Sequence, residues 1–173
     1  MQRRTLLRAG AGAFAASTLS RAVAATGTTA YEPSGELEID GAAEVVLDDD
    51  GSTAYVAAST GFVTVDVSDP TSPAVLAEER PIETGGGSSA REILDIKVDG
   101  DTLLVPTAAQ GGGPLGFFIY DVSDPADPSQ VGDFFDTPHG NHNSFIEDDI
   151  VYLTGNTRQA TYLSMIDVSG EEF

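Results

Sequence analysis

Two imidazoles lie three residues apart in Pro138-His139-Gly140-Asn141-His142-Asn143, and they are the only histidines of the chain. With a carboxylate such as Asp95 alongside, His139 and His142 would offer a ligand set for a divalent metal. The pattern has low specificity. A His-x-x-His pair on a loop lacks the fixed face that a helix gives the i, i+4 spacing of zinc proteases. The chain has no cysteine and no third histidine to complete a set. A packed loop in which a histidine bonds to backbone is the simpler expectation, with no cofactor; a divalent metal is the alternative.

Other chemistry is hard to place. No serine stands in a Gly-x-Ser-x-Gly elbow, and the glycine runs lack the lysine and following helix of a phosphate loop. Carboxylate pairs are so frequent in a chain with 28 acidic residues that no single pair signals catalysis. Four basic residues remain after residue 24, and two of them, Arg91 and Arg158, fall near the irregular loops.

The elements that must position these groups announce themselves by repetition. Asp66-Val67-Ser68-Asp69-Pro70-Thr71-Ser72-Pro73 recurs as Asp121-Val122-Ser123-Asp124-Pro125-Ala126-Asp127-Pro128, and Asp167-Val168-Ser169 starts a third copy. The offsets of 55 and 46 residues suit one propeller blade per repeat. The first copy reads as strands Glu44–Leu47, Ala54–Ala57, Phe62–Val67 and Ala74–Glu78. The second reads as Ile93–Val98, Leu103–Thr107, Phe117–Val122 and Gln130–Phe134. The third reads as Ser144–Ile146, Ile150–Thr154 and Leu163–Val168. Gly, Asp and Pro turns separate them and no 3.6-residue period intervenes. The expectation is an all-β chain of β-propeller blades, four antiparallel strands each, with about three repeats and an incomplete ring. The blades span about 44–80, 93–136 and 143–169.

In the turns, Asp69 and Asp124 can accept backbone N–H groups while Pro70 and Pro125 preset φ. Asp66, Asp121 and Asp167 close the third strand of each copy, so all of these are expected to serve the blade rather than chemistry.

Blade topology places every irregular loop on one rim: Thr84–Ala90, Ala109–Gly116, Thr137–Asn143 and Gly155–Tyr162. Aligning Leu47, Val98 and Ile146 stacks Glu44, Asp95 and Asn143 at the start of the inner strands, around the mouth of a central channel. The candidate ligand-binding residues are therefore Asp95, Arg91, His139, His142, Asn143 and Arg158, since function tends to sit on irregular loops over a regular scaffold.

Residues 1–24 differ from the rest. Arg3, Arg4, Arg8 and Arg21 surround an apolar centre that ends in Ala22-Val23-Ala24, and no acid occurs there. This is the order of a cleavable export signal, and Arg3-Arg4 before Thr5-Leu6-Leu7 resembles the twin-arginine class. Residues 25–35 read as a linker and 36–173 as the repeats. Without the first 24 residues, 4 basic side chains face 28 acidic ones, a net charge of −24. Such a surface repels nucleic acid and anionic lipid, and no membrane span is expected. Lys97 is the single lysine, a composition that resembles proteins of halophilic archaea.

Phe62-Val63-Thr64-Val65-Asp66, Phe117-Phe118-Ile119-Tyr120-Asp121 and Leu163-Ser164-Met165-Ile166-Asp167, each followed by Val-Ser, resemble the LVIVD-repeat proteins. The resemblance implies β-propellers exported to or displayed on bacterial and archaeal surfaces, and it implies no reaction. The functional expectation is a non-catalytic secreted or cell-surface propeller that binds a protein or small ligand through its irregular rim. An exported metal-dependent enzyme using His139 and His142, and a structural cell-envelope module, are the alternatives. Residues 36–40 look like an outer strand without its own blade, and the third repeat lacks one. That pairing predicts either part of a longer propeller or a homodimer that exchanges these strands.

Overall fold

The computed structural model describes residues 32–85, 87–108 and 113–170, so the predicted signal at 1–24 and most of the linker lie outside the described residues. Those described form no helix. The first blade is β1 (Ala42–Leu47), β2 (Thr53–Ala58), β3 (Gly61–Asp66) and β4 (Ala74–Glu79), antiparallel in chain order. A small hairpin, β5 (Glu83–Gly85) with β6 (Ser88–Ser89), interrupts the connection onward. The second blade is β7 (Lys97–Asp99), β8 (Thr102–Pro106), β9 (Gly116–Asp121) and β10 (Ser129–Asp136). The third has β11 (Gly140–Glu147), β12 (Ile150–Asn156) and β13 (Thr161–Asp167), with no fourth strand among the described residues.

Local chemistry sets the turns. Between β1 and β2 the Asp48 carboxylate accepts the amides of Ser52 at 2.8 Å and Thr53 at 3.0 Å, while Gly51 takes φ 74°. After each third strand the aspartate accepts the amide two residues on: Ser68 to Asp66 at 2.9 Å, Ser123 to Asp121 at 2.8 Å, Ser169 to Asp167 at 3.0 Å. Asp69 and Asp124 repeat the contact one step later, from Thr71 and Ala126. These bonds favour the carboxylate form. The Ser68 hydroxyl and amide hold Asp66 below the ordinary range, and the Thr71, Ser123 and Ser169 groups do the same for Asp69, Asp121 and Asp167.

Strand alternation then builds the core between blades. Tyr55, Ala57 and Phe62 of the first blade pack on Leu103, Val105, Phe118 and Tyr120 of the second, with Ile82, Ile93 and Ile96 between. The opposite face of the second blade, Leu104, Phe117 and Ile119, packs on Ile146, Val151 and Leu153 of the third. One polar stitch crosses the first contact: the Thr64 hydroxyl donates to the Pro125 carbonyl at 2.6 Å, inside the repeated turn.

Three expectations need correction. The inner strand predicted at Ile93–Val98 pairs only over Lys97–Asp99. Upstream, the Ile93 amide donates to the Ser59 carbonyl at 2.6 Å and the Ile96 amide to the Glu44 carboxylate at 2.8 Å, so blade one satisfies this backbone. The third inner strand begins at Gly140 rather than Ser144, which puts Asn141, His142 and Asn143 on a strand instead of a loop. Residues 36–40 form no strand. Gly35 lies against the Pro70 turn, and Ile39 packs on the face of blade one that points away from blade two.

A candidate ligand cleft between the second and third blades

The start of β11 runs beside the end of β8, and a parallel bridge between Ala108 and Asn141 ties them. The segment before β7 joins from below, its Glu92 carbonyl accepting the Ala108 amide at 2.9 Å. These three segments enclose a cleft of about 190 Å³, lined by Glu92, Leu94, Asp95, Pro106, Thr107, Ala108, Asn141, His142 and Asn143. Of the predicted ligand residues, Asp95, His142 and Asn143 therefore meet here. Arg91 does not. It lies beside Gly113 and lines a separate depression with Ser88, Ser89 and Pro114. Arg158 is exposed in the turn between β12 and β13, and it too is absent from the cleft lining.

The two histidines have different surroundings. His142 is exposed, with Nε2 3.1 Å from Asn156 Oδ1. His139 is buried, its Nε2 3.0 Å from the Ser164 hydroxyl and its ring stacked on Tyr162 at 5.1 Å. Gly155 makes room for that ring, because a Cβ there would come within 2.3 Å of His139 Nδ1. The two imidazoles thus differ in place: His139 is packed on Gly155, Tyr162 and Ser164 of the third blade, while His142 stands on the cleft. Among the described residues no three His, Cys, Asp or Glu side chains are arranged to hold a metal ion.

Asn141 is the most constrained polar group in the lining. Its Nδ2 donates to the Gly116 carbonyl at 2.8 Å, which fixes the amide orientation. Its Oδ1 is then a buried acceptor with no partner among the described residues. Such a group costs free energy unless something donates to it.

Beneath the cleft the first and second blades meet on one lysine, and the third joins them through Asp95. Lys97 Nζ donates to Glu44 Oε2 at 2.7 Å and also contacts the Asp95 carboxylate. Asp95 Oδ2 accepts the Ser144 hydroxyl at 2.7 Å. Burial works against the charge on Asp95, yet hydrogen bonds with Glu44, Lys97 and Ser144 outweigh it and hold its pKa below the ordinary value. Glu44 moves the other way, raised by burial and by the neighbouring Asp95 carboxylate. Burial would lower Lys97, but the two carboxylates hold it above its usual value. The alignment that stacked Glu44, Asp95 and Asn143 found two members of this cluster. It missed Lys97, two residues on from Asp95, and Ser144, one on from Asn143. An alternating inner strand read beyond the single stacked row would have suggested both. Glu92, Leu94, Asn141 and Pro106–Ala108 carried no signal, because their convergence depends on how one blade sits on the next.

No curated protein matches the chain at a significant level. The LVIVD repeat family matches twice, over residues 50–78 and 108–136. Each match contains a third strand, its Asp-Val-Ser-Asp-Pro turn and most or all of the outer strand, so the first two blades each carry an LVIVD repeat.

Proposed function

We propose that this protein is an exported, non-catalytic binding propeller that takes a small hydrogen-bonding ligand, or a partner's loop, in the cleft between its second and third blades. The observation that carries the reading is the Asn141 side chain in the cleft lining, buried and oriented by Gly116, with an acceptor that no described residue satisfies. Around it stand Glu92 and Asp95 as acceptors, Asn143 and His142 as mixed groups, and Leu94 and Pro106 as an apolar floor. Few convergent polar groups in a mostly preformed concavity are the usual furniture of a binding site. A binding reading also suits the position, since the cleft opens on the rim that carries the irregular loops.

The test is a side-by-side screen of wild type and a His142→Ala/Asn143→Ala variant against arrays of glycans and short peptides in molar KCl. Selective retention by wild type that the variant loses at least tenfold is expected. Equal retention by both would reject the cleft. The export half of the reading is tested separately: protein recovered from its producing cell should begin near Ala25, and Lys at positions 3 and 4 should leave it in the cytoplasm. A mature N-terminus at Met1 or Gln2 would reject export.

A further inference from the structure

Donors and acceptors are unevenly shared in the cleft between the second and third blades. Ala108 holds its centre: its amide donates to the Glu92 carbonyl at 2.9 Å on one side, and its bridge to Asn141 joins the other. Glu92 and Asn141 therefore flank the same residue, and both offer acceptors. Asn141 is 6% exposed, and with Nδ2 on the Gly116 carbonyl its Oδ1 turns to the opposite side, without a partner among the described residues. Glu92 is half-buried and makes no ion pair among them. The donors that could answer these groups are used elsewhere. The Thr107 hydroxyl donates to the Pro114 carbonyl at 2.8 Å, and Lys97 Nζ is held by Glu44 and Asp95. Arg91, next to Glu92 in the chain, lies beside Gly113 in the separate depression.

Charge points the same way. Glu92, Asp95 and Glu44 set three carboxylates against one lysine, in a chain of net −20. Partly buried charges are screened much less than exposed ones, so this attraction for a cation persists in molar salt. A metal ion would need the acceptors to converge, and among the described residues no three His, Cys, Asp or Glu side chains do. A hydroxyl brings two lone pairs with its one proton, whereas an ammonium brings three donors and no acceptor. Leu94, 49% exposed, stands in the lining with Pro106 and Ala108 and gives an apolar wall for a hydrocarbon stem. A stem laid there would take part of Leu94 out of water.

We infer that the cleft binds a primary alkylammonium, whose N–H groups meet Asn141 Oδ1 and the Glu92 carboxylate while its stem lies along Leu94 and Pro106. The inference rests on the cleft being a binding site and narrows its occupant to one chemistry. A lysine side chain on a partner's loop and a free small amine share that chemistry.

Equilibrium dialysis in molar KCl at pH 7, where an alkylamine is protonated, separates the two sources. The free amine is n-pentylamine, and the loop is an end-blocked peptide of glycines around one lysine. At least one should bind wild type tenfold more tightly than its uncharged counterpart, n-pentanol or the acetyl-lysine peptide, and the tighter of the two names the source. Glu92→Gln keeps the shape and should weaken the amine at least tenfold with the β circular-dichroism spectrum unchanged. Asp133→Asn, which removes an exposed acid outside the cleft, should leave it intact. No preference for the charged form, or equal losses in Glu92→Gln and Asp133→Asn, would overturn the ammonium. An uncharged glycan or lysine-free peptide that binds and is lost in His142→Ala/Asn143→Ala, with neither amine bound, would overturn it while the cleft stands. Amine binding indifferent to both Glu92→Gln and His142→Ala/Asn143→Ala would reject the cleft as well.

Discussion

Lys97 has two carboxylates within contact and little water, so removing its charge leaves Glu44 and Asp95 facing each other. Breaking a buried pair on one side is costly, but this cluster keeps partial solvent access, so Lys97→Met is expected to lose about 1–3 kcal/mol. The pH dependence follows from the directions of the shifts. Asp95, held below its ordinary 3.8, contributes stability above that pH and loses it as pH falls through its lowered value. Lys97, held above 10.5, contributes below that pH and loses it as pH rises through its raised value. Glu44 opposes them, since its raised pKa makes ionisation cost stability as pH climbs past 4.5. Urea midpoints of wild type and variant should therefore differ most between about pH 5 and 10 and converge above the lysine's pKa. A difference that persists undiminished once the lysine has lost its proton would show that packing of the lysine stem, not its charge, is what was lost.

The third blade shows how an element's position decides a residue's role. Strand β12 passes Gly155 directly under His139, with the Gly140 carbonyl 2.2 Å from where a Cβ would stand. Gly155→Ala must push either the imidazole off Tyr162 or the β11–β12 pair apart, and it is expected to cost about 1–3 kcal/mol in a thermal or urea melt. A neutral outcome would mean that the His139–Tyr162 stack does not hold the blade. A packed histidine was expected, but not its partners Gly155, Tyr162 and Ser164, because the constraint comes from a residue 16 positions away and from side chains on β13. The repeated turns were legible. Asp66 and Asp121 reach amides only two residues along, so their geometry is written in consecutive letters. Strand β7 fails for the opposite reason: Ile93 and Ile96 look like a strand, but Ser59 and Glu44 of another blade take their amides. Local chemistry could be read from order alone, while the cleft and its Asn141 acceptor required the packing of one blade on another.

For the whole molecule the deciding quantity is charge against screening. The sequence carries 28 acids and 8 basic residues, and among the described residues the ion pairs are Arg80 with Glu78 and Lys97 with Glu44 and Asp95. The remaining carboxylates are therefore largely unpaired by side-chain cations. Five, Asp48 among them, use turn amides to favour ionisation, which steadies each loop but keeps its negative charge on the surface. Repulsion among them is weak when the Debye length is ~3 Å, as in molar salt, and reaches across a blade when it is ~30 Å in about 0.01 M salt. The buried apolar faces between blades supply the opposing attraction, and they change little with salt at these concentrations. Dialysis from molar to millimolar KCl should therefore unfold the chain, read as loss of the β circular-dichroism band, with the urea midpoint falling steadily on the way. Glu38→Gln/Asp50→Asn/Asp133→Asn, which removes exposed charge from three separate places, should shift the unfolding midpoint to lower salt. A band that survives in millimolar KCl would mean that blade packing alone outweighs the repulsion, and that the acidity serves solubility rather than a need for salt.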